Sequence, residues 1–324
     1  MEQYDVTALG ELLIDFTEHG TSNQGNPVLE ANPGGAPCNV LAMLAKLGKK
    51  TAFIGKVGTD SFGEQLESAL KESGITATGL VRDKNVHTTL AFVHKKADGD
   101  REFSFCRNPG ADMMLNETDL NEDLLKNCSF FHYGSLSMTH ENCRAATQKA
   151  ISIAQKHNAI LSFDPNLREP LWDNLEQARK QISYGMEHCQ ILKISDNELR
   201  WFTGEQNLDH GVTILKKLYN IPLILLSMGK DGSRAYTKGC RIECAAYTQN
   251  NVLDTTGAGD TFCACILNYV LEHGFKEYSE QELTEMLSFA NAAAALITSK
   301  KGALRVMPDK TEIESFIQNE TKNV

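Results

Sequence analysis

Short apolar runs of strand length alternate along this chain with longer segments of helical period, and no linker rich in Pro, Gly or Ser interrupts them. Val6 to Leu13, Thr51 to Val57, Ile160 to Phe163, Gln190 to Ile194 and Leu223 to Ser227 read as strands. Ala36 to Leu47, Phe62 to Lys71, Cys143 to Lys156, Val212 to Leu218, about Gly259 to Leu271 and about Glu282 to Thr298 read as helices. Such alternation predicts a sheet with substantial parallel character, covered by helices on both faces. Ligands of such a sheet gather beyond the C-terminal ends of its strands. With 324 residues, the chain suffices for one large α/β domain, or one with a small appendage.

The formal charge is −10, from 32 basic and 42 acidic residues without a long basic block, which argues against a nucleic-acid or anionic-membrane partner. A small anionic substrate stays open, because one local cluster of donors suffices for it. The nine cysteines form no CxxC pair and several lie in apolar runs, so they read as reduced residues of a cytosolic protein. No basic segment precedes a long apolar one at Met1 to Asp5, so no secretory signal is visible. The most apolar stretches are too short or too interrupted to span a bilayer. A cytoplasmic location is the expectation.

One section breaks the rhythm. Thr88 to His94 and Arg101 to Cys106 flank Ala97-Asp-Gly-Asp100 and read as two strands and a turn. With the extended segment from Asp15 to Glu30, they are expected to build a small sheet, its segments falling at about 15–30 and 86–108. A sheet over the crevice would serve as a lid that excludes water from a reaction. An edge extension of the main sheet fits the same pattern.

The chemistry concentrates in Asp254-Thr-Thr-Gly-Ala-Gly-Asp260-Thr-Phe262, where small residues stand directly before a carboxylate and a helix. Backbone N–H groups at such a helix start hold an anion, while Asp260 is placed to take a proton from a hydroxyl. Phosphoryl transfer needs both. A glycine-rich turn that merely caps a helix looks alike. Other polar groups stand at expected strand ends: Asp15, then Gly34, Gly35 and Asn39 at the first helix, and Asp164-Pro-Asn166-Leu-Arg168. They suit a polyhydroxylated ligand, whose hydroxyls need partners once buried. Each also has a local account as a turn, bend or cap.

Asn32-Pro-Gly-Gly-Ala-Pro-Cys-Asn39, Gly55-Lys-Val-Gly58-Thr-Asp60-Ser-Phe-Gly63, Gly229-Lys-Asp-Gly232, the run from Asp254 to Phe262 and Ala290-Asn291 follow one another along the chain. In this order they closely resemble the PfkB, or ribokinase-like, carbohydrate kinases, and within them the bacterial fructokinases. The resemblance covers essentially the entire chain. It implies one α/β domain over 1–324, a Rossmann-like, mostly parallel central sheet flanked by helices, and a small β lid that commonly contributes to a homodimer. It further implies Asp260 as catalytic base, Gly257, Ala258 and Gly259 as an anion hole, and Asp15, Gly34, Gly35 and Asn39 as sugar contacts. Arg107 and Arg168 resemble sugar- or phosphate-side arginines of the fructokinase subgroup; an ion pair holding a loop is the other reading of each.

On the nucleotide side, Lys193, Ser227, Gly229, Gly232 and Asn291 match ATP-contacting positions, together with Gly257 and Gly259. The GxxxxGK[ST] spacing of a P-loop is absent. Glu198 falls on the family's metal-associated glutamate, with Ser195 where asparagine is common; it is expected to orient Mg²⁺-bound water, or to act only as a first-turn helix carboxylate. Asp254 and Thr256 match part of a monovalent-cation site, so K⁺ joins ATP and Mg²⁺ as an implied cofactor, although Asp254 also reads as a loop cap. The implied reaction is transfer of the ATP γ-phosphate to the 6-hydroxyl of D-fructose. The same motifs admit 2-keto-3-deoxygluconate, ribose or another sugar or nucleoside as acceptor, and a noncatalytic sugar-responsive binding protein is the reading from a different class.

Overall fold

The computed structural model describes residues 2–95, 101–249 and 251–321. In chain order the strands are β1 (Tyr4–Leu9), β2 (Leu13–Thr21), β3 (Pro27–Gly34), β4 (Thr51–Gly58), β5 (Ile75–Asp83), β6 (Leu90–Lys95), β7 (Arg101–Cys106), β8 (Cys128–Gly134), β9 (Ile160–Asp164), β10 (Ile191–Ser195), β11 (Leu223–Ser227), β12 (Ser233–Tyr236) and β13 (Arg241–Cys244). The helices are α1 (Ala36–Lys46), α2 (Ser61–Glu72), α3 (Glu122–Lys126), α4 (Glu141–Lys156), α5 (Leu175–His188), α6 (Asp196–Thr203), α7 (Leu208–Tyr219), α8 (Ala258–His273), α9 (Glu280–Ile297) and α10 (Lys310–Thr321).

Nine strands form the main sheet in the order β13-β12-β11-β10-β9-β8-β1-β4-β5. From β11 to β5 every neighbouring pair is parallel, and β12 and β13 add an antiparallel edge. Strands buried on both faces must be apolar on both, as the parallel arrangement requires. Val6, Phe53 and Leu225 pack with Leu41 of α1, Leu66 of α2, Ile266 of α8 and Leu287 of α9. Leu9, Ile54, Phe131, Phe163 and Leu226 belong to the opposite core, with Ile151 of α4, Ile182 of α5 and Leu215 of α7. Local signals set the helix starts: Asp60 Oδ1 accepts the Gly63 N–H at the head of α2, and Ser279 with Glu282 forms a reciprocal cap on α9.

The single strand expected from Val6 to Leu13 is two. β1 ends at Leu9, the chain turns through Gly10, Glu11 and Leu12, and β2 begins at Leu13 in a different sheet. Leu12 and Ile14 are as buried as Val6 and Leu9, so hydrophobicity carries no mark of the break. A Cβ on Gly10 would lie 2.5 Å from the Pro37 ring, so the turn there is closely packed.

β2, β3, β6 and β7 form a separate four-stranded sheet ordered β3-β2-β6-β7, rather than an extension of the main one. Its β2–β6 pair is parallel and its outer pairs are antiparallel. Phe16 of β2 stacks on Phe92 of β6 and meets Phe62 of α2 edge-on, which seats the small sheet against the body. The expected turn at Ala97 to Asp100 lies outside the described residues. All nine cysteines are free thiols, most of them buried and Cys106 exposed. Among the described residues, no helix is long and apolar enough to cross a membrane.

Candidate active site

β1, β8, β9, β10 and β11 run in one direction, so Gly10, Gly134, Asp164, Ser195 and Ser227 come to the same edge of the sheet. A crevice of about 830 Å³ opens there, between the small sheet and the N-terminus of α8. Asp15, Gly35, Asn39, Arg168, Lys193, Glu198, Ser227, Gly229, Thr256, Gly257, Gly259 and Asp260 all line it. A smaller hollow of about 420 Å³ beside Glu67 and Thr76 carries none of these groups.

α8 starts at a backbone position that favours glycine: Gly257 has φ 78°, and a Cβ there would lie 2.7 Å from the Ala303 methyl. The first turn of a helix leaves N–H groups without intrahelical acceptors, and the dipole favours an anion beside them. Ala258, the first helical residue, donates to Thr255 O at 3.3 Å and is not among the crevice-lining residues. The glycine turn expected to hold an anion therefore meets the crevice at Gly257 and Gly259.

Asp260 is half-buried in that first turn, and Asn39 Nδ2 donates to its Oδ2 at 2.8 Å. Burial pushes the Asp260 carboxyl above its ordinary range; the Asn39 bond, Lys193 and Arg168 pull the other way without cancelling it. Asn39 Oδ1 is a buried acceptor with no protein partner. Gly34 does not line the crevice, but a Cβ on it would lie 2.2 Å from Asp15 Oδ2, so its lack of a side chain makes room for that carboxylate. Gly35 has φ 126°, and a Cβ there would strike Glu11 O at 2.3 Å. Arg168 lines the crevice, with Nη1 donating to Leu167 O at 3.1 Å.

Arg107, paired by resemblance with the sugar-side arginines, is not brought to the crevice. It is buried, with Nε donating to Asp112 Oδ2 at 2.9 Å, Nη1 to Thr139 Oγ1 at 2.9 Å and Nη2 to Leu136 O at 3.0 Å. Thr89 Oγ1 donates to the other Asp112 oxygen. This is the loop-holding ion pair of the alternative reading.

Of the residues expected on the nucleotide side, Lys193 has its Nζ 2.9 Å from Asp164 Oδ2 and 3.1 Å from where a Gly259 Cβ would be, close over the turn that opens α8. Burial opposes the Lys193 charge, but Asp164, Glu198 and Asp260 outweigh it and hold the ammonium above its ordinary range. Burial pushes Asp164 up to about 6 despite Lys193. Gly232 and Asn291 do not line the crevice. Gly232 has φ 93° and its carbonyl accepts Met228 N at 2.8 Å, which closes the turn after β11. Asn291 accepts from Ser233 Oγ at 2.8 Å and donates to Ala245 O at 3.1 Å, which ties α9 to the chain beyond β13.

Glu198 forms a reciprocal cap with Ser195 at the start of α6: Oε2 accepts Ser195 N at 2.8 Å and Oγ at 2.7 Å, and Oε1 accepts Leu167 N at 2.7 Å. Burial works against its charge, yet Lys193 and these donors hold the carboxyl below its ordinary range. The ionised group, with three donors already bound, fits an outer-sphere contact to metal-bound water better than direct ligation. Asp254 likewise serves as a cap, with Oδ1 accepting Thr256 N at 2.8 Å and Oδ2 accepting Gly302 N at 3.1 Å. Among the described residues, no group of three or more His, Cys, Asp or Glu is arranged to hold a metal.

Glu11, Phe105, Leu136, Asp196, Val252 and Leu253 are among the crevice residues that escaped the reading of the sequence. Glu11 hides in an apolar run, where a lone carboxylate was the available signal. Val252 and Leu253 are exposed apolar residues directly before the anion turn, a face suited to a flat aromatic group.

The profile described as "pfkB family carbohydrate kinase" matches residues 3–310. Probable fructokinase-2 of Arabidopsis thaliana is 42% identical over 316 residues, which span 97% of this chain and 95% of that protein. Among solved structures, the fructokinase of Xylella fastidiosa with bound ATP superposes with a TM-score of 0.88 at 29% identity, covering 99% of this chain and 100% of that one. The fructokinase of Vibrio cholerae O395, in a form with fructose, ADP and calcium ion bound, gives a TM-score of 0.87 at 26% identity, over 98% of this chain and 100% of that one. With a carboxylate set in the first turn of α8 and a profile match along nearly its whole length, the chain belongs to the pfkB family of carbohydrate kinases.

Proposed function

We propose that this kinase is a fructokinase, which transfers the γ-phosphoryl group of ATP to the 6-hydroxyl of D-fructose with Asp260 as general base. The observation that carries the reading is the junction at Asp260. On one side lies the α8 N-terminus, with Gly257 and Gly259 on the crevice; on the other lie Asp15 of β2, Gly35 before α1 and Asn39 in its first turn. The fructokinase names of the relatives support the choice of sugar.

Asp15, Gly35, Asn39 and Arg168 hold the sugar hydroxyls in this account. Asp260 takes the proton from the acceptor oxygen, which attacks the γ-phosphorus in line. N–H groups of Gly257 and Gly259 stabilise the charge that develops on the transferred group, and Lys193 offsets phosphate charge beside them. Ser227 and Gly229 flank the nucleotide. Mg²⁺ would come with ATP as part of the substrate and offset phosphate charge, Glu198 would orient water bound to it, and Asp254 and Thr256 would hold K⁺. The small sheet, with segments near 15–30 and 86–108 of a single 1–324 domain, closes as a lid and contributes to a homodimer in the cytoplasm. Its role in closure is to keep water from competing as acceptor.

The test is ADP formation from MgATP across fructose, 2-keto-3-deoxygluconate, ribose, fructose phosphate and nucleosides, with the product identified by mass. Preference for fructose is the expected result. Preference for another acceptor moves the substrate, and transfer to none of them refutes the kinase assignment.

A further inference from the structure

Glu11 stands on the Gly10–Leu12 crossing that carries the chain from the main sheet into the small one. It is 4% exposed, yet it lines the crevice beside Asp15, Gly35 and Asn39. Its Oε1 accepts the Ala36 N–H at 2.9 Å, so the carboxyl is fixed to the start of α1 and joins the Gly10–Leu12 crossing to the point where the chain leaves β3 of the small sheet. A carboxylate offers about four lone-pair directions, so bonds from the Ala36 N–H and from its own backbone leave acceptor capacity for the crevice. Burial pushes the carboxyl up to about 7; its backbone bonds and Arg107 oppose that, while Asp112 adds to it. A buried carboxylate with capacity to spare is costly to keep, and a sugar hydroxyl is a donor of the kind that relieves the cost. Capping Ala36 alone is within reach of a neutral amide.

We propose that Glu11 is a sugar-contact residue of this kinase: it accepts a hydrogen bond from a nonreacting hydroxyl of the ketose while the Ala36 N–H holds its other oxygen. The inference rests on the crevice being the sugar site of the proposed reaction. Because the same carboxyl ties the entry of the chain into β2 to its exit from β3 at α1, sugar binding there also steadies the small sheet over the crevice.

The experiment is a cycle between protein and substrate. Wild type and Glu11→Gln are compared on fructose and on analogues that each lack one nonreacting hydroxyl, with KM for ATP and melting followed in parallel. Assayed at about pH 8, above the value of about 7 to which burial pushes the carboxyl, Glu11→Gln is expected to raise KM for fructose roughly 10- to 100-fold and to leave KM for ATP within about twofold, since the bond lost is then to a charged acceptor. One deoxy analogue, poor for wild type, is expected to lose nothing further in the variant. Additive losses at every hydroxyl, or equal effects on both substrates, overturn the proposal and leave Glu11 as a cap of α1. Glu11→Asp, which keeps the charge but draws it back, is read in the same panel should the amide variant not fold; failure of both to fold likewise counts for the cap alone. A wild type active only on another sugar refutes the fructose assignment, and the same cycle on that sugar then decides Glu11.

Discussion

Asp260 must be ionised to accept a proton, yet burial at the α8 N-terminus favours its neutral form and the Asn39 bond only partly offsets this. The rising limb of kcat/KM against pH should therefore lie above the ordinary aspartate range of about 4. Asn39→Ala removes a donor that favours the charged form, so the limb moves to higher pH; a shift to lower pH contradicts this electrostatic account. The position of Asp260 was legible because the run from Asp254 to Phe262 carries a family resemblance that a bare helix cap does not. Arg107 was not. An arginine just past a strand reads the same whether it faces a crevice or, as here, a buried Asp112.

The anion turn is an element whose geometry depends on one residue. Gly257→Ala forces a side chain into φ 78° and toward the Ala303 methyl at 2.7 Å. The backbone conformation alone costs about 1–2 kcal/mol, and a displaced N–H donor lowers kcat on the order of 100-fold. Urea unfolding and steady-state kinetics separate the two effects, and unchanged kcat in a folded variant removes Gly257 from the transfer step. The start of α8 was readable because glycine spacing encodes backbone conformation directly. Gly232 also has a glycine conformation but closes the turn after β11, since such a turn needs its own closure whether or not a ligand is near, while Asn291 of α9 holds Ser233 and Ala245 beside the β12–β13 edge. The break between β1 and β2 left no mark in hydrophobicity, because Leu9, Leu12 and Ile14 on either side of it are equally buried.

At the scale of the molecule, the main sheet followed from alternation of periods, whereas the independence of the small sheet followed from pairings that no local pattern specifies. Arg107 and Asp112, with side chains 2% and 3% exposed, join the exit of β7 to Thr89 before β6 and to the 136–139 segment of the body. Removing one partner strands a buried charge, so Arg107→Met should lose about 3–5 kcal/mol in urea unfolding, and Arg107→Met with Asp112→Leu should recover the larger part. An Arg107→Met protein of unchanged stability and raised KM for fructose would instead return Arg107 to the sugar.

The most direct test of Asp260 at the junction of sugar and phosphate is single-turnover transfer from γ-labelled ATP to fructose, wild type against Asp260→Asn, with the phosphate position read by NMR. The wild type is predicted to place the label on the 6-hydroxyl in step with ADP release, and the variant to bind ATP yet transfer at least about 100-fold more slowly. Equal transfer by the variant, or label released chiefly as inorganic phosphate by the wild type, would contradict it.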